Sequence, residues 1–382
     1  MPHESKPEQE EQQPRPVLSV VIPSCNGEPH LPACLDSLAR QSFRDFEVIV
    51  VENGSEDRTV EIVTKKYPWV QLISLGRKQG FSRPVNIGWR KAEGDLIFLL
   101  NDDTVCADDC LEQLVNAATG APNVDFFAAL MVFFDDPSVI NSAGHRLQTE
   151  ATVTEGGIGQ PVGGFYDQER EVFGACAGAA LYRRELLERL DGLDEDFWII
   201  NEDVDFDFRA QLHGATCRFV PQVLVQHRLS QFMGTGSPRM IHAYIKNFAA
   251  YLLKDIPPAF WARHRRQILT HQWRATSALV REKRLGALAR ARWDLLWLAP
   301  RMLRKRRAQM AQLIERGERI VQWTEQDRDP GTEGVPDSGR SGAQRLWHNL
   351  LPGAISLALM TPLLFWLGIM SLQDRLLAPG FR

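Results

Sequence analysis

Residues Asp95 to Thr104 read Asp-Leu-Ile-Phe-Leu-Leu-Asn-Asp-Asp-Thr, an apolar run that stops at two adjacent carboxylates. Two fixed carboxylates repel each other unless a cation or a proton lies between them, and oxygen donors suit Mg²⁺ or Mn²⁺ carrying phosphates. Asp102 and Asp103 therefore point first to a metal-bound diphosphate; the plain alternative is a solvated Asp-Asp-Thr turn capping the next helix. A second acidic cluster runs from Glu195 to Asp207, Glu-Asp-Phe-Trp-Ile-Ile-Asn-Glu-Asp-Val-Asp-Phe-Asp. Capping a helix N-terminus accounts for one acid there, not for this many. A carboxylate at a pocket rim is what a reaction needs when an alcohol must lose its proton while attacking an electrophilic carbon. Further on, Val225-Gln226-His227 sets a histidine after an apolar strand. A lone histidine there is commonly structural, but beside an acidic pair it becomes a candidate ligand to the same cation.

The elements that must position these groups alternate along the chain. Leu96–Leu100 is too short for a stand-alone helix and reads as a buried parallel strand, with both acids at its C-terminal edge, where open α/β sheets bind ligands. Val17–Ile22, Phe46–Val51 and Val70–Leu75 are the strands before it. Between them lie a helix with Leu31, Leu35 and Leu38 on one face, a polar helix ending near Lys66, and a helix around Arg83–Ala92. Four strand–helix alternations imply a parallel sheet with right-handed crossovers. Val124–Phe134 is a further strand, Val204–His213 a helix, Gly156–Gly164 a loop. Gly174–Leu181 is small enough for another backbone or a ligand to approach closely. Neither a G-x-G-x-x-G fingerprint nor a G-x-x-x-x-G-K-[ST] phosphate loop is present, which argues against nicotinamide enzymes and P-loop ATPases.

The chain has 382 residues and a formal charge of −4. Between Ala259 and Met310, however, 14 Lys and Arg stand against two acids, a local +12 that leaves −16 for the rest. Trp261, Trp273, Trp293 and Trp297 lie among these arginines, the composition of an interfacial helix facing anionic lipid. No nucleic-acid-binding motif accompanies them. The six cysteines form no C-x-x-C pair, so reduced thiols are expected. Residues 1–16 read as a disordered tail and 324–346 as a linker. Within 347–382 the stretch Gly353–Leu372 is apolar and, at about 30 Å as a helix, long enough to cross a bilayer; lying in the interface or packing on the domain are the alternatives. Basic residues on its N-terminal side would keep the main domain in the cytoplasm.

Taken in order, five motifs make residues 17–253 resemble the family 2 glycosyltransferases of the GT-A fold, especially bacterial rhamnosyltransferase-like members. They are Val20-Val21-Ile22-Pro23-Ser24-Cys25-Asn26-Gly27; Val50-Val51-Glu52-Asn53-Gly54-Ser55-Glu56-Asp57; Gly80-Phe81 with Asn86-Ile87-Gly88; Leu100-Asn101-Asp102-Asp103-Thr104; and Glu202-Asp203-Val204-Asp205 with Arg209 and Gly214 behind it. The resemblance implies an α/β, Rossmann-like fold with a mostly parallel central sheet flanked by helices, here followed by a basic helical extension (254–323) and the hydrophobic membrane segment.

It also implies roles. Pro23 and Ser24 would line the base pocket, Glu52 would accept a hydrogen bond from the nucleobase, and Asp102 would hold the ribose. Lys78 and Asn86 would lie on the nucleotide-sugar. Asp103 and His227 would bind the divalent metal, Mn²⁺ or Mg²⁺, that bridges the diphosphate. Asp203 would be the general base, with Glu202 its alternate. The family usually has Asp where this chain has Glu52. A carboxylate acceptor needs an N–H, which uracil and thymine offer and cytosine does not, so UDP- or dTDP-sugars are the expected donors, with GDP-sugars the next choice. The implied activity is inverting transfer of a sugar, with rhamnose as the guess from likeness, to a lipid-linked or cell-envelope glycan such as a polyprenyl-diphosphate-linked acceptor. The competing readings are a nucleotidyltransferase and a non-catalytic membrane scaffold of the same fold.

Overall fold

The computed structural model describes residues 15–229, 237–326 and 350–377. Nearly all of the expected tail, most of the expected linker and the loop after Leu229 lie outside the described residues. Strand–helix alternation opens the chain as the apolar periodicity requires. The order is β1 (Leu18–Ser24), α1 (Leu31–Ala39), β2 (Phe46–Glu52), α2 (Thr59–Lys66), β3 (Gln71–Ser74), α3 (Ser82–Lys91) and β4 (Leu96–Leu100). There follow β5 (Thr104–Cys106), α4 (Cys110–Gly120), β6 (Phe126–Phe133), β7 (Ile140–Ser142) and a hairpin of β8 (His145–Leu147) and β9 (Val153–Glu155). The chain continues through β10 (Arg170–Val172), β11 (Ala179–Arg183), α5 (Arg184–Leu190), α6 (Glu202–Leu212) and β12 (Cys217–His227). Among the described residues six helices follow: α7 (Pro238–Lys254), α8 (Pro258–Arg281), α9 (Leu285–Ala308), α10 (Met310–Glu315), α11 (Gly317–Gln326) and α12 (Leu350–Leu377).

The main sheet runs β10-β12-β6-β11-β4-β1-β2-β3, with β5 added on β12 and β7 on β6. Pairings make β1, β2, β3, β4, β6 and β12 parallel and reverse the other four. The expected mostly parallel sheet is thus a mixed one. Central strands are buried on both faces, which is why they read as unbroken apolar runs instead of alternating: Val20, Val21 and Ile22 are fully inaccessible, as are Ile97 to Leu100. In β12 the register against β6 breaks between Val220 and Leu224, around Pro221, which has no N–H to give the ladder.

Helix α6 is the hinge of the architecture. Every residue of Glu202–Leu212 except Asp203 is buried, because one face packs on the sheet and the other on the C-terminal helices. Phe206 meets the sheet through Phe126 and Tyr182, while Phe208 stacks on Tyr251 of α7 at 5.7 Å. The region expected to be a separate extension therefore shares a core with α6 and, through it, with the sheet. Buried charge reinforces the seam: Lys254 lies 2.6 Å from Asp194 and also pairs with Asp205, and Lys305 reaches Asp194 and Asp196 at 2.6 and 2.8 Å.

The C-terminal apolar run departs from its expected role. Among the described residues no helix is long and apolar enough to cross a membrane. Helix α12 instead packs on α7, α8 and α9, burying Met360, Leu363, Leu367 and Met370 at three- and four-residue spacing. Asp374 beyond the run makes a two-pronged buried ion pair with Arg306 of α9. The apolar stripe is spent on this core, and side chains of residues 350–359 lie outside the described residues.

Candidate active site

Two strand ends and one long strand build the first half of the site. At the end of β1, Ser24 donates its hydroxyl to Asp102 at 2.6 Å. Gly27 leaves room for that bond: a Cβ there would sit 2.3 Å from the serine Oγ and 3.0 Å from Asp102. Burial, helped by the charge of Asp103 and opposed by the Ser24 bond, pushes the Asp102 carboxyl up to about 7. Asp103 is fixed by the next ladder, since β5 pairs antiparallel with β12 and matches Thr104 with His227, and the Arg228 N–H closes on the Asp103 carbonyl at 3.0 Å. Asp103 and His227 thereby face one another, Oδ1 to Nε2, at 3.3 Å. On its other side the His227 ring lies 2.9 Å from Asn141 Oδ1, an atom that only accepts, so Nδ1 carries the hydrogen and Nε2 presents its lone pair to Asp103. A carboxylate oxygen and an imidazole nitrogen at this separation, with the ring's far side anchored, are a donor set that would suit a shared divalent ion.

The second half comes from the start of α6. Ile200 and Asn201 both adopt left-handed backbone, with φ of 69° and 64°, a conformation that strains a β-branched residue. Three neighbours hold the turn. The Phe81 N–H donates to the Trp198 carbonyl at 2.6 Å, Ser82 Oγ to the Phe197 carbonyl at 2.6 Å, and Asn247 of α7 to the carbonyls of Ile199 and Ile200 at 2.8 and 2.6 Å. This geometry aims Glu202 and Asp203 into the same cleft as Asp102, Asp103 and His227, a hollow of about 720 Å³. Asp203 Oδ2 accepts from the Ala177 N–H at 3.4 Å. Glu202 Oε2 is buried without a partner among the described residues. Burial, with Asp203 next to it, drives the Glu202 carboxyl far up; burial also raises Asp203, but a nearby imidazole, His145, opposes the rise. Of the two, Glu202 is pushed up further, while the imidazole favours the charged form of Asp203, a difference in environment of the kind that acid–base chemistry uses.

Residues 19–191 match the family model described as glycosyl transferase family 2. That stretch of the chain is similar to family 2 glycosyltransferases. Among curated proteins it is 25% identical over 262 residues to the N-acetylglucosaminyl-diphospho-decaprenol L-rhamnosyltransferase of Mycobacterium tuberculosis, covering 62% of this chain and 84% of that protein. A PGL/p-HBAD biosynthesis glycosyltransferase of Mycobacterium bovis is 38% identical over 103 residues, 26% of this chain and 40% of the relative. An uncharacterized glycosyltransferase of Haemophilus influenzae is 33% identical, over 29% of this chain and 37% of its own length, so the match spans little more than a third of that relative. Among solved structures, S. aureus TarS 1–349 superposes with a TM-score of 0.50 at 18% identity, over 81% of this chain and 92% of the other. GalNAc-T7 with UDP, GalNAc and Mn²⁺ gives 0.51 at 17%, over 68% and 53%. At these identities the likeness speaks for the GT-A-like fold.

Pro23, Ser24, Lys78, Asp102, Asp103, Glu202, Asp203 and His227 all line one cleft. Lys78 reaches Glu56 at 3.0 Å, and that bond raises its pKa. Two expected contacts lie elsewhere. Asn86 is 1% exposed and fully engaged: its amide group donates to the Leu193 carbonyl at 2.7 Å and to Glu195, and its oxygen accepts from Leu193 N–H and the Trp89 indole. It anchors the approach to the acidic loop and is not a nucleotide-sugar contact, because every polar atom it has is used. Glu52 is 2% exposed and outside the cleft lining, its carboxylate accepting from Ser74 Oγ at 2.5 Å and from the Ser55 N–H.

Sequence reasoning missed His145, Glu155, Asp207, Asn141 and Asn247. The one available signal was the four-residue spacing of Asp203 and Asp207, which sets both carboxylates on one helical face. His145 Nε2, Cys176 Sγ and an Asp203 oxygen lie within 4.8 Å of one another. Burial pushes the Cys176 thiol up to about 12, and its hydrogen bond with the His145 ring pulls the other way.

Proposed function

We propose that the protein is an inverting, divalent-metal-dependent glycosyltransferase that moves a sugar from a UDP- or dTDP-sugar to a hydroxyl of a lipid-linked or cell-envelope glycan. The observation carrying this reading is the convergence of Asp102, Asp103 and His227 with Glu202 and Asp203 around one cleft. Asp102, through its bond with Ser24, would hold the ribose. Asp103 and His227 would hold the ion, which when bound supplies positive charge to the departing diphosphate. Asp203 accepts the proton of the acceptor hydroxyl as its oxygen bonds to the anomeric carbon and the bond to the diphosphate breaks, so the anomeric configuration inverts. Glu202, keeping its proton, donates a hydrogen bond to a sugar hydroxyl. The mycobacterial relative named for a decaprenyl-diphosphate acceptor and for L-rhamnose favours that acceptor class and that sugar.

A bilayer-held acceptor also accounts for an exposed stripe on α9. Arg290, Trp293, Trp297, Arg304 and Arg307 recur at three-, four- and seven-residue spacing on its outer face, with Trp293 62% and Trp297 72% exposed. Indole and guanidinium on one helical face suit the headgroup region of an anionic membrane, at the cytoplasmic side where nucleotide sugars are present. A metal-dependent nucleotidyltransferase would need to consume nucleoside triphosphate, which the same assay detects.

Thermal-shift binding of UDP, dTDP, GDP and CDP with and without Mn²⁺ tests the base and ion assignments together, and a donor panel with prenyl-diphosphate saccharides tests transfer. Asp203→Asn is expected to abolish transfer while nucleotide binding stays within twofold. Unchanged turnover in that variant would refute the base assignment.

A further inference from the structure

The β8–β9 hairpin forms its own two-stranded sheet, and its first pair matches His145 with Glu155. It brings these two residues against the face of α6 that carries Asp203 and, one turn later, Asp207. The His145 ring is 2% exposed and lies between the two aspartates. Its Nδ1–H donates to Asp207 Oδ2 at 2.5 Å, while Nε2 lies 3.4 Å from Glu155 Oε1 and 3.9 Å from Asp203 Oδ2. The backbone was cut to fit this arrangement. A Cβ on Gly174 would fall 1.9 Å from the Asp207 carboxyl, and the next residue's N–H donates to Asp207 Oδ1 at 3.2 Å. His145 has no exit to solvent and no contact with the ion-binding pair.

Resting on the reading of Asp203 as the base, we propose that His145 is a positioning residue for it: a buried imidazolium, anchored by Asp207 and balanced by Glu155, that keeps Asp203 ionised until the acceptor hydroxyl arrives. The physical need is plain. Burial alone favours a neutral Asp203, which is useless as a base, and an opposite charge within about 4–6 Å reverses this by roughly 1–3 pH units. Burial also works against the imidazolium, but the charges of Glu155 and Asp207 outweigh it and hold the His145 pKa well above the usual range. Three carboxyl groups thus surround the ring, with burial pushing Asp207 up to about 7 against the pull of His145. When Asp203 takes the proton, Asp207 and Glu155 still compensate His145. At 3.9 Å, no hydrogen bond links His145 to Asp203, so the proton stays on the carboxylate. The other titratable groups facing this cluster are the thiols of Cys176 and Cys217 and the Tyr182 phenol, all raised foremost by burial, Glu202, also raised by burial, and His227, whose charge would act on Glu155.

Glu155 pulls Asp203 the other way, and this gives the test a sign. In kcat/KM for the acceptor against pH, His145→Gln is expected to move the acidic limb up by about 1 pH unit. Glu155→Gln is expected to move it down, and nucleotide affinity should stay within twofold in both. Limbs that stay put, or that move the same way, overturn the proposal. If His145→Gln does not fold, the downward shift in Glu155→Gln carries the decision. A separate readout on the wild type, ¹⁵N-histidine NMR at pH 8, is expected to find one doubly protonated imidazole lost in His145→Gln. A neutral ring at His145 overturns the proposal even if transfer is never observed. Absence of transfer from every nucleotide sugar would instead count against the glycosyltransferase reading.

Discussion

Asn247 lies on a helix far along the chain from the acids, yet the structure makes it the clamp on their turn. Its amide donates to the carbonyls of Ile199 and Ile200, while its own oxygen has no partner among the described residues. Asn247→Ala therefore deletes two hydrogen bonds and little else of polar character. Each is worth about 0.5–1.5 kcal/mol net, so the direct loss is about 2 kcal/mol. The indirect effect is larger for catalysis. Ile200 in left-handed backbone stores roughly 1–2 kcal/mol of strain that the clamp holds in place. Without it, the cheapest relaxation is for Ile200 to return to extended backbone, which swings the first turn of α6 and Asp203 with it. A displacement of about 1 Å at a reacting group costs about 100-fold.

The expected outcome for Asn247→Ala is a loss of about 2 kcal/mol in urea unfolding, a drop of 10- to 100-fold in kcat, and nucleotide affinity within twofold, since the strand ends that hold the nucleotide are untouched. Asn247→Asp, which keeps the shape but turns two donors into two acceptors facing carbonyls, should be at least as damaging. Should the alanine variant keep kcat within threefold while losing the 2 kcal/mol, the turn is held by other contacts and the reasoning fails.

Gly174→Ala would drive a methyl into the Asp207 carboxyl, and it is expected to cost at least about 2 kcal/mol, as overpacking does, and to lower kcat far more than nucleotide affinity; near-native unfolding and turnover would count against the close approach. Asp194→Asn breaks the pairs with Lys254 and Lys305 at the seam and should cost roughly 3 kcal/mol at pH 7. The Asp194 carboxyl is buried, which by itself raises its pKa, but the two lysines hold it well below the usual range. A depressed folded-state pKa stabilises above the unfolded value of about 3.8, so the gap between wild type and variant should be constant from pH 7 to 5 and shrink below about pH 4. A gap that narrows between pH 7 and 5 would assign the effect to another group.

How far the sequence carried depended on whether local pattern or tertiary placement decides a feature. Buried parallel strands announce themselves as short apolar runs, so β1, β2 and β4 were legible to within a residue or two, and with them Ser24, Asp102 and Asp103. Asn86 was misplaced because its motif specifies a conserved-looking amide without specifying its direction, and here the amide turns toward Leu193. The C-terminal apolar run was ambiguous in principle: composition gives hydrophobicity, but only the position of α7, α8 and α9 decides whether a helical stripe meets lipid or protein. His145 was invisible because its partners come from a hairpin and a helix about 60 residues apart, and the four-residue spacing of Asp203 and Asp207 does not say what faces them.

The arrangement around α6 also explains why the C-terminal helices belong to the enzyme and not to an appendage. A catalytic acid must be buried enough to be a base and held firmly enough to be aimed, and a helix packed on one side only satisfies neither demand. The sheet supplies one wall through Phe126 and Tyr182, and α7 supplies the other through Phe248 and Tyr251. The strained turn ahead of Glu202 is held from both directions, by Phe81 and Ser82 of the nucleotide-binding half and by Asn247 of the helical half. A family match that ends at residue 191 therefore stops before the acids that the chemistry needs, and before the helix that aims them. Any force that shifts α7 relative to the sheet, such as α9 settling on a membrane through Trp293 and Trp297, would act on Asp203 through this clamp while leaving Asp102 and Asp103 where the strands put them.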